Sequence, residues 1–139
     1  MIVCDTGPIV AAAIRHDDDF RACTDLFTGL HLAARQILAP ATVIAETGYL
    51  LNRLGGPEIE AGFLRSCAEG TFVLVDLTPD DLDRMAELVT TYKDFPLGTT
   101  DASVIAVAER LGVTEIATLD HRHFRAVRPR HVDALVMLP

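Results

Sequence analysis

The chain has 139 residues, of which 50% are hydrophobic, and a formal net charge of −8 at pH 7. This length and apolar content predict one domain over residues 1–139 with a substantial core, and they exclude a disordered chain. The acidic balance excludes a protein that coats DNA through a positive surface, although it leaves open a nucleic-acid enzyme whose acids are neutralised by metal ions.

The first half of the chain predicts strands alternating with helices. The predicted strands are Ile2–Cys4, which ends at Asp5, and Ile37–Ala39. The predicted helices are Gly7–Ile14, Asp19–Arg35, Pro40–Leu54 and Glu58–Glu69. Proline at the start and glycine just beyond the end are typical helix boundaries, and the third of these helices has both.

The second half continues the alternation. The predicted strands are Phe72–Val75, Glu115–Leu119 and Val132–Met137. A capping-box sequence at residues 78–81 opens a helix to about Tyr92, and the stretch GTTDASVIAVAERLG predicts a helix that ends at Gly112. The sequence HRHF after Asp120 predicts a short turn. Strands alternating with helices indicate an α/β fold with a mainly parallel sheet.

Four carboxylates stand alone in segments that otherwise consist of uncharged, largely apolar residues. They are Asp5, Glu46, Asp101 and Asp120. Burial of an unpaired carboxylate is costly, so such groups are normally paired or bound to a metal. Asp5 and Asp120 follow strands, and open α/β sheets place their sites at the carboxyl ends of strands. Asp101 begins a helix and Glu46 lies within one, so both are candidates for the same rim.

Converging carboxylates repel one another unless a cation is present. Hard oxygen ligands favour Mg²⁺ or Mn²⁺ over zinc. Such ions activate water and stabilise the leaving oxygen of a phosphodiester. No sequence pattern for a serine or cysteine nucleophile is evident, so hydrolysis by metal-activated water is the chemistry these residues favour.

Each acid also has a purely structural interpretation, which the residues alone leave open. Asp5 is a candidate to close a strand into a turn with Thr6, and Asp101 and Asp120 are candidates for helix caps. Glu46 is a candidate for a hydrogen bond to a neighbouring helix.

Four segments together resemble the PIN domain, specifically the VapC toxins of bacterial VapBC toxin–antitoxin modules. The segments are IVCDTGPIVA, APATVIAETGYLL, LGTTDASVIAVAERLG and EIATLDHRHF. The resemblance implies an α/β/α sandwich and an endoribonuclease dependent on Mg²⁺ or Mn²⁺, with Asp5, Glu46, Asp101 and Asp120 as the metal-binding and catalytic acids. It implies supporting roles for Thr6 and Asp94.

The resemblance also implies partners. Members of this family are homodimers inhibited by a cognate VapB-type antitoxin whose tail covers the site, and their substrates are structured RNAs such as tRNAs or a ribosomal RNA loop. A mean hydropathy of +0.28 is high for a small monomer, which independently favours a homodimer. The helices Pro40–Leu54 and Glu58–Glu69 are the candidates for its interface.

A basic segment, HRHFRAVRPRH, follows Asp120 directly and contains no acid. Arginine binds phosphate through two parallel hydrogen bonds, so Arg122 and Arg125, together with His123, are candidates to guide the RNA backbone to the metal site. The alternative is a solvated turn with surface ion pairs.

Three cysteines without CxxC spacing indicate reduced core thiols rather than a disulfide framework or a zinc site. The first residues lack a basic signal leader, and no apolar stretch is long enough to span a membrane, so we expect a cytoplasmic protein.

Two other classes of function fit the sequence less well. Some phosphotransfer enzymes need an acid two residues after the first aspartate, where this chain has Gly7. Others need a lysine late in the chain, whereas the only lysine here is Lys93. Dinucleotide binding would need a GxGxxG motif, which the sequence lacks. A catalytically inactive domain that binds RNA or the antitoxin is the remaining alternative, since geometry decides activity.

Overall fold

A computed structural model describes residues 1–139 as five strands and seven helices. The strands are β1 (Ile2–Cys4), β2 (Ile37–Pro40), β3 (Val73–Val75), β4 (Glu115–Ala117) and β5 (Val136–Leu138). The helices are α1 (Thr6–Ala13), α2 (Phe20–Leu32), α3 (Ala41–Gly55), α4 (Pro57–Ala68), α5 (Pro79–Thr91), α6 (Thr99–Leu111) and α7 (His121–Ala126).

The strands form one sheet in the order β3-β2-β1-β4-β5, and every neighbouring pair is parallel. The predicted α/β class is confirmed, and the sheet is parallel throughout rather than mainly so. Because parallel crossovers are right-handed, the steps from β1 to β2 and β3 place α1–α4 on one face. The return to β4 and the step to β5 run the other way and place α5–α7 on the opposite face, which gives the α/β/α sandwich.

The core lies between the central strands and the helices that cover them. β1 and β2 are buried along their whole length, as expected for strands covered on both faces. Seven consecutive residues of α6, Ala102–Ala108, are buried, so this helix runs through the interior rather than along the surface. The edge strands are less covered, with Leu74 54% exposed and Val136 52% exposed.

The sheet order creates a point where consecutive connections leave for opposite faces. The chain leaves β1 toward α1 and leaves the adjacent β4 toward α7. The two strand ends are held together by the backbone N–H of Asp5, which donates to the carbonyl of Ala117 at 2.9 Å. Open α/β sheets bind ligands at such a switch point, so the fold itself marks this rim.

Most predicted boundaries agree with the structure to within a few residues. The capping box at the start of α5 is present, with Thr78 and Asp81 exchanging side-chain bonds to backbone N–H groups. Gly112 ends α6 with φ of 65°, a left-handed conformation that glycine adopts without steric cost.

Two predictions at the C-terminal end were wrong. The sequence HRHF is the start of helix α7 rather than a turn, because Asp120 caps it and Phe124 anchors it in the core at 2% exposure. The last strand was predicted at Val132–Met137 but is Val136–Leu138, since β4 offers only three residues for pairing. Residues 130–134 form bends instead.

Ion pairs join α5, α6 and the segment after α7. Arg84 donates two hydrogen bonds to the carboxylate of Glu109 at 2.8 and 2.9 Å. Glu109 also accepts from the backbone N–H of Arg130, whose side chain pairs with Glu87. Arg130 therefore belongs to the network that joins these elements.

None of the helices combines the length and apolar character needed to cross a membrane. The three cysteines are free thiols; Cys4 and Cys23 are buried as predicted, whereas Cys67 is only partly buried.

Candidate active site

The carboxylate of Asp5 lies at the end of β1 and is 7% exposed. It caps α1 by accepting a hydrogen bond from the backbone N–H of Thr6 at 2.7 Å. Its other oxygen accepts from the hydroxyl of Thr118 at 3.0 Å. Burial raises the pKa of Asp5 from 3.8 to about 6; the bonds from Thr6 and Thr118 oppose that rise, and the nearby carboxylates of Asp101 and Glu46 add to it.

Thr118 joins the two strand ends through a single hydroxyl. It donates to Asp5 and accepts from the backbone N–H of Asp120 at 3.0 Å, and it is completely buried. Thr118 is not among the residues singled out from the sequence, because an uncharged threonine at the end of an apolar strand gives no signal until its neighbours in space are known.

Glu46 reaches the rim from within α3. Its carboxylate accepts a hydrogen bond from the hydroxyl of Thr6 at 2.6 Å, and the residue is exposed rather than buried among the apolar residues around it. One turn earlier on the same helix, the hydroxyl of Thr42 is 2.5 Å from that of the buried Ser103 on α6. This contact fixes the start of α3 against α6 and holds Glu46 on the same side as Asp101.

Asp101 is the third residue of α6 and is half-buried, and the N-cap position of the helix is Gly98 rather than Asp101. Burial raises the pKa of Asp101, the carboxylate of Asp120 raises it further, and the nearby His123 opposes the rise. The lone acid in this apolar stretch therefore faces other acids, and the nearby basic group is the imidazole of His123.

Asp120 caps α7 through a hydrogen bond from the backbone N–H of His123 at 3.1 Å. The second oxygen of the same carboxylate contacts Nδ1 of the His123 ring. His123 is among the residues predicted to contact RNA, and its ring lies against an acid of the cluster.

The structural and the functional interpretations of the acids are compatible with each other. Asp5 and Asp120 do cap helices, and Glu46 does bond to a neighbouring helix. The same contacts orient three carboxylates toward one rim, where Asp101 joins them. Local capping and convergence are thus two results of one arrangement.

The donor set fits a divalent cation. Asp101, Asp120 and His123 each offer a ligand atom, and these atoms lie within 4.8 Å of one another. Burial is the main cause of the raised pKa values of Asp5 and Asp101, and repulsion by the neighbouring carboxylates, which a bound cation would relieve, adds to it.

Phe95 and Arg122 form the outer wall beside this cluster. The ring of Phe95 meets the His123 ring edge-on, with the two ring centroids 4.9 Å apart. The guanidinium of Arg122 lies over the ring of Phe95, 5.0 Å from its centroid. Phe95 was not singled out from the sequence, because a single aromatic in a loop carries no pattern.

The remaining predicted residues lie outside the cluster. Asp94 is exposed in the turn before α6 and makes no side-chain hydrogen bond or ion pair. Arg125 is exposed on α7, also without an ion pair. Neither position contradicts a role toward substrate.

The acids lie on an open rim rather than in a deep cavity. The larger cavities are lined by other residues, including a groove of about 560 Å³ at the opposite end of the sheet, between Phe27, His31 and Phe72. Small ligands are usually enclosed in pockets, so an open rim of acids is better suited to a polymer.

Comparison with known proteins is consistent with this geometry. A family model described as PIN domain matches residues 2–129. Ribonuclease VapC26 of Mycobacterium tuberculosis is 30% identical over 128 residues, which cover 92% of this chain and 93% of that protein.

Solved structures share the fold at lower identity. VapC20 of Mycobacterium tuberculosis, described as a Sarcin-Ricin loop cleaving toxin, has a TM-score of 0.80 at 19% identity, covering 96% of this chain and 99% of the other. FitAcB from Neisseria gonorrhoeae has a TM-score of 0.71 at 15% identity, covering 100% and 97%. VapBC2 from Rickettsia felis, bound to a DNA fragment from its promoter, has a TM-score of 0.70 at 18% identity, covering 99% and 97%.

Proposed function

The chain belongs to the PIN domain family, within its VapC group, and from this premise we propose that it is a metal-dependent endoribonuclease acting as the toxin of a toxin–antitoxin pair. The observation that carries the proposal is the convergence of Asp5, Glu46, Asp101 and Asp120 at the switch point of the sheet. The name of the relative at 30% identity, a ribonuclease, supports the same activity.

The residues of this chain hold the acids in place before any substrate arrives. Thr118 bridges Asp5 and Asp120, and Thr6 connects the backbone next to Asp5 with Glu46. A bound Mg²⁺ or Mn²⁺ would lie among these carboxylates and supply Lewis acidity toward water and the phosphodiester. Because the ligands are positioned by short contacts within the fold, the site is organised in advance.

The substrate we propose is a structured RNA, either a tRNA or a ribosomal RNA loop. Its backbone would reach the acids past Arg122 and Arg125, which are exposed beside the site and make no ion pairs. Such a protein acts where these RNAs are, in the cytoplasm. Cleavage of the Sarcin-Ricin loop by the structural relative VapC20 makes ribosomes a necessary substrate in any test.

We also propose two protein partners. The first is a VapB-type antitoxin that blocks access to the rim, and its addition should abolish cleavage in proportion to the complex formed. The second is a second copy of the chain. Tyr49, Leu54 and Leu64 are exposed on α3 and α4, the helices predicted to form the dimer interface. Light scattering should give twice the monomer mass of 15.1 kDa at micromolar concentration.

The test of the activity is cleavage of total RNA and of intact ribosomes with Mg²⁺, Mn²⁺ or a chelator. Asp5→Asn keeps the shape and the helix cap but removes the charge, whereas Asp25→Asn makes the same change on the exposed surface of α2. Discrete fragments that require both the metal and Asp5, and that persist with Asp25→Asn, are the expected result.

Equal cleavage by wild-type and Asp5→Asn protein would indicate a contaminating nuclease. Absence of cleavage by folded protein with either metal would favour the alternative, an inactive domain that binds RNA or the antitoxin.

A further inference from the structure

His123 is the one nitrogen donor in the acid cluster. We propose that its Nδ1 atom is a direct ligand of the metal and that the site therefore prefers Mn²⁺ to Mg²⁺. This inference rests on the proposed function only in that it takes the acid cluster as a metal site.

The candidate ligand atoms are close enough to share one ion. The ligand atoms of His123, Asp101 and Asp120 lie within 4.8 Å of one another, so one ion can contact all three. Nδ1 of His123 is also in contact with an oxygen of Asp120, and an ion bound by both atoms would release the proton between them and leave the imidazole neutral with its hydrogen on Nε2. Neighbouring ligands of an octahedral ion bound at about 2.1 Å are about 3 Å apart, so a slight separation of this contact gives two adjacent ligand positions.

The orientation of the His123 imidazole is fixed before an ion binds. The imidazole is held from two sides, by the contact of its Nδ1 with Asp120 and by the edge-on ring of Phe95. Arg122 lies over Phe95 and covers that ring from outside. The His123 side chain is 27% exposed, which is less than the 40% of Asp120. A ring restrained in this way loses little conformational freedom when it binds an ion.

The chemistry of the ligand atoms determines which divalent ion the site prefers. Mg²⁺ takes oxygen ligands and retains its waters, whereas imidazole suits transition metals. An all-carboxylate site would discriminate weakly between Mg²⁺ and Mn²⁺. One imidazole ligand shifts the balance toward Mn²⁺, so His123 would set which ion the protein carries when both are present.

The decisive measurement is electron spin-echo spectroscopy of wild-type protein loaded with Mn²⁺. A nitrogen bound directly to the ion gives a ¹⁴N modulation, which we expect in the wild type and in His121→Ala, and which His123→Ala should lose. His121 is a suitable control because it lies on the same helix and contacts the Thr118 carbonyl rather than the cluster. A wild-type spectrum without ¹⁴N modulation would overturn the proposal whether or not any variant folds.

Calorimetric titration of the same proteins provides a second test. His123→Ala should weaken Mn²⁺ binding by about 10- to 100-fold and Mg²⁺ binding much less, so the preference for Mn²⁺ collapses. An equal loss for both ions would mean that His123 only positions Asp120, and the proposal would fail. Neither experiment involves RNA, so ¹⁴N modulation without cleavage would refute the proposed function alone, and cleavage without modulation would refute this inference alone.

Discussion

The two oxygens of the Asp5 carboxylate make hydrogen bonds that cap helix α1 and also fix the acid in the candidate site. One accepts from the Thr6 backbone and the other from Thr118, so neither is free to turn away. Burial nevertheless disfavours its charged form, as the rise of its pKa to about 6 shows. A residue that weakens the metal-free fold while organising a site is typical of functional positions.

Asp5→Asn should therefore stabilise the metal-free protein at neutral pH. The folded-state pKa lies above the ordinary value of 3.8, so the folded protein binds more protons between pH 4 and pH 6, and wild-type stability is lost as the pH rises through that window. Asparagine does not titrate. At about 1.4 kcal/mol per pH unit, the free energy of unfolding of Asp5→Asn should gain up to about 3 kcal/mol on the wild type between pH 4 and pH 7.

Urea denaturation in chelator at several pH values measures this difference. A constant difference from pH 4 to pH 7 would contradict the raised pKa. Saturating Mn²⁺ should reverse the order of stability, because the wild type binds the ion more tightly than the variant and binding stabilises only the folded state.

Thr118 is the residue whose contribution is easiest to isolate. Thr118→Val keeps the shape and removes the hydroxyl that joins Asp5 to Asp120, so we expect metal affinity to fall by about 10- to 100-fold. Thr118→Ser keeps the hydroxyl and should stay close to the wild type. Calorimetric titration of both variants with Mn²⁺ tests this, and equal affinities would show that the bridge is dispensable.

At the scale of single residues, the sequence revealed the acidic side chains of the site but not the residues that position them. Asp5, Glu46, Asp101 and Asp120 are visible because a lone acid in an apolar segment is unusual. Thr118 and Phe95 are not visible, because their roles depend on residues far away in the chain.

Among the elements, those with long periodic patterns were predictable and the short ones were not. Helix α6 could be predicted because its largely apolar sequence is followed by Gly112, at a position where the backbone must adopt a left-handed conformation. Helix α7 has six residues, too few for a periodic pattern, and its existence depends on the Asp120 cap and the burial of Phe124. The last strand depends on the short length of its partner β4, which no local pattern records.

The ion pair between α5 and α6 gives a prediction at this scale. Glu109 is 9% exposed in its side chain and Arg84 is 15% exposed, so Glu109→Ala leaves a poorly solvated arginine with only the exposed Glu87 as a partner. The free energy of unfolding at pH 7 should fall by about 2 to 3 kcal/mol. Glu69→Ala, on an exposed residue, should change it by less than about 0.5 kcal/mol.

The pH dependence of this loss has a defined sign. Arg84 and the Arg130 backbone outweigh the effect of burial and lower the pKa of Glu109. Its contribution is therefore present above the ordinary pKa of a glutamate and disappears as the pH falls through the folded-state value. Denaturation curves of wild type and Glu109→Ala should converge in acid, and a difference that persists there would implicate packing instead.

At the scale of the whole molecule, topology brings together acids that are scattered along the chain. The strand order places the ends of β1 and β4 side by side, and α3 and α6 each bring one further acid to that edge. The sequence alternation was enough to predict a parallel sheet with a site at the carboxyl ends of its strands. It was not enough to show that His123 lies within the cluster rather than beside it.

The distribution of charge across the molecule leads to the final prediction. With a net charge of −8, the protein repels RNA except where positive side chains outweigh the acids. Arg130 is already paired with Glu87, so Arg122 and Arg125 are the arginines we expect to contact phosphates near the site. Each phosphate contact on single-stranded RNA contributes about 0.7 to the slope of log K against log salt.

Replacing Arg122 and Arg125 with alanine in an Asp101→Asn background, which prevents cleavage, should therefore reduce that slope by about 1 to 2. The matched control is Arg21→Ala with Arg65→Ala, which removes the same charge from the exposed surfaces of α2 and α4. If both pairs lower the slope equally, only net charge matters and the basic helix α7 has no special place in binding. If only the α7 pair does so, RNA approaches the acids along α7, and an acidic protein holds a polyanion by confining its positive contacts to the border of the site.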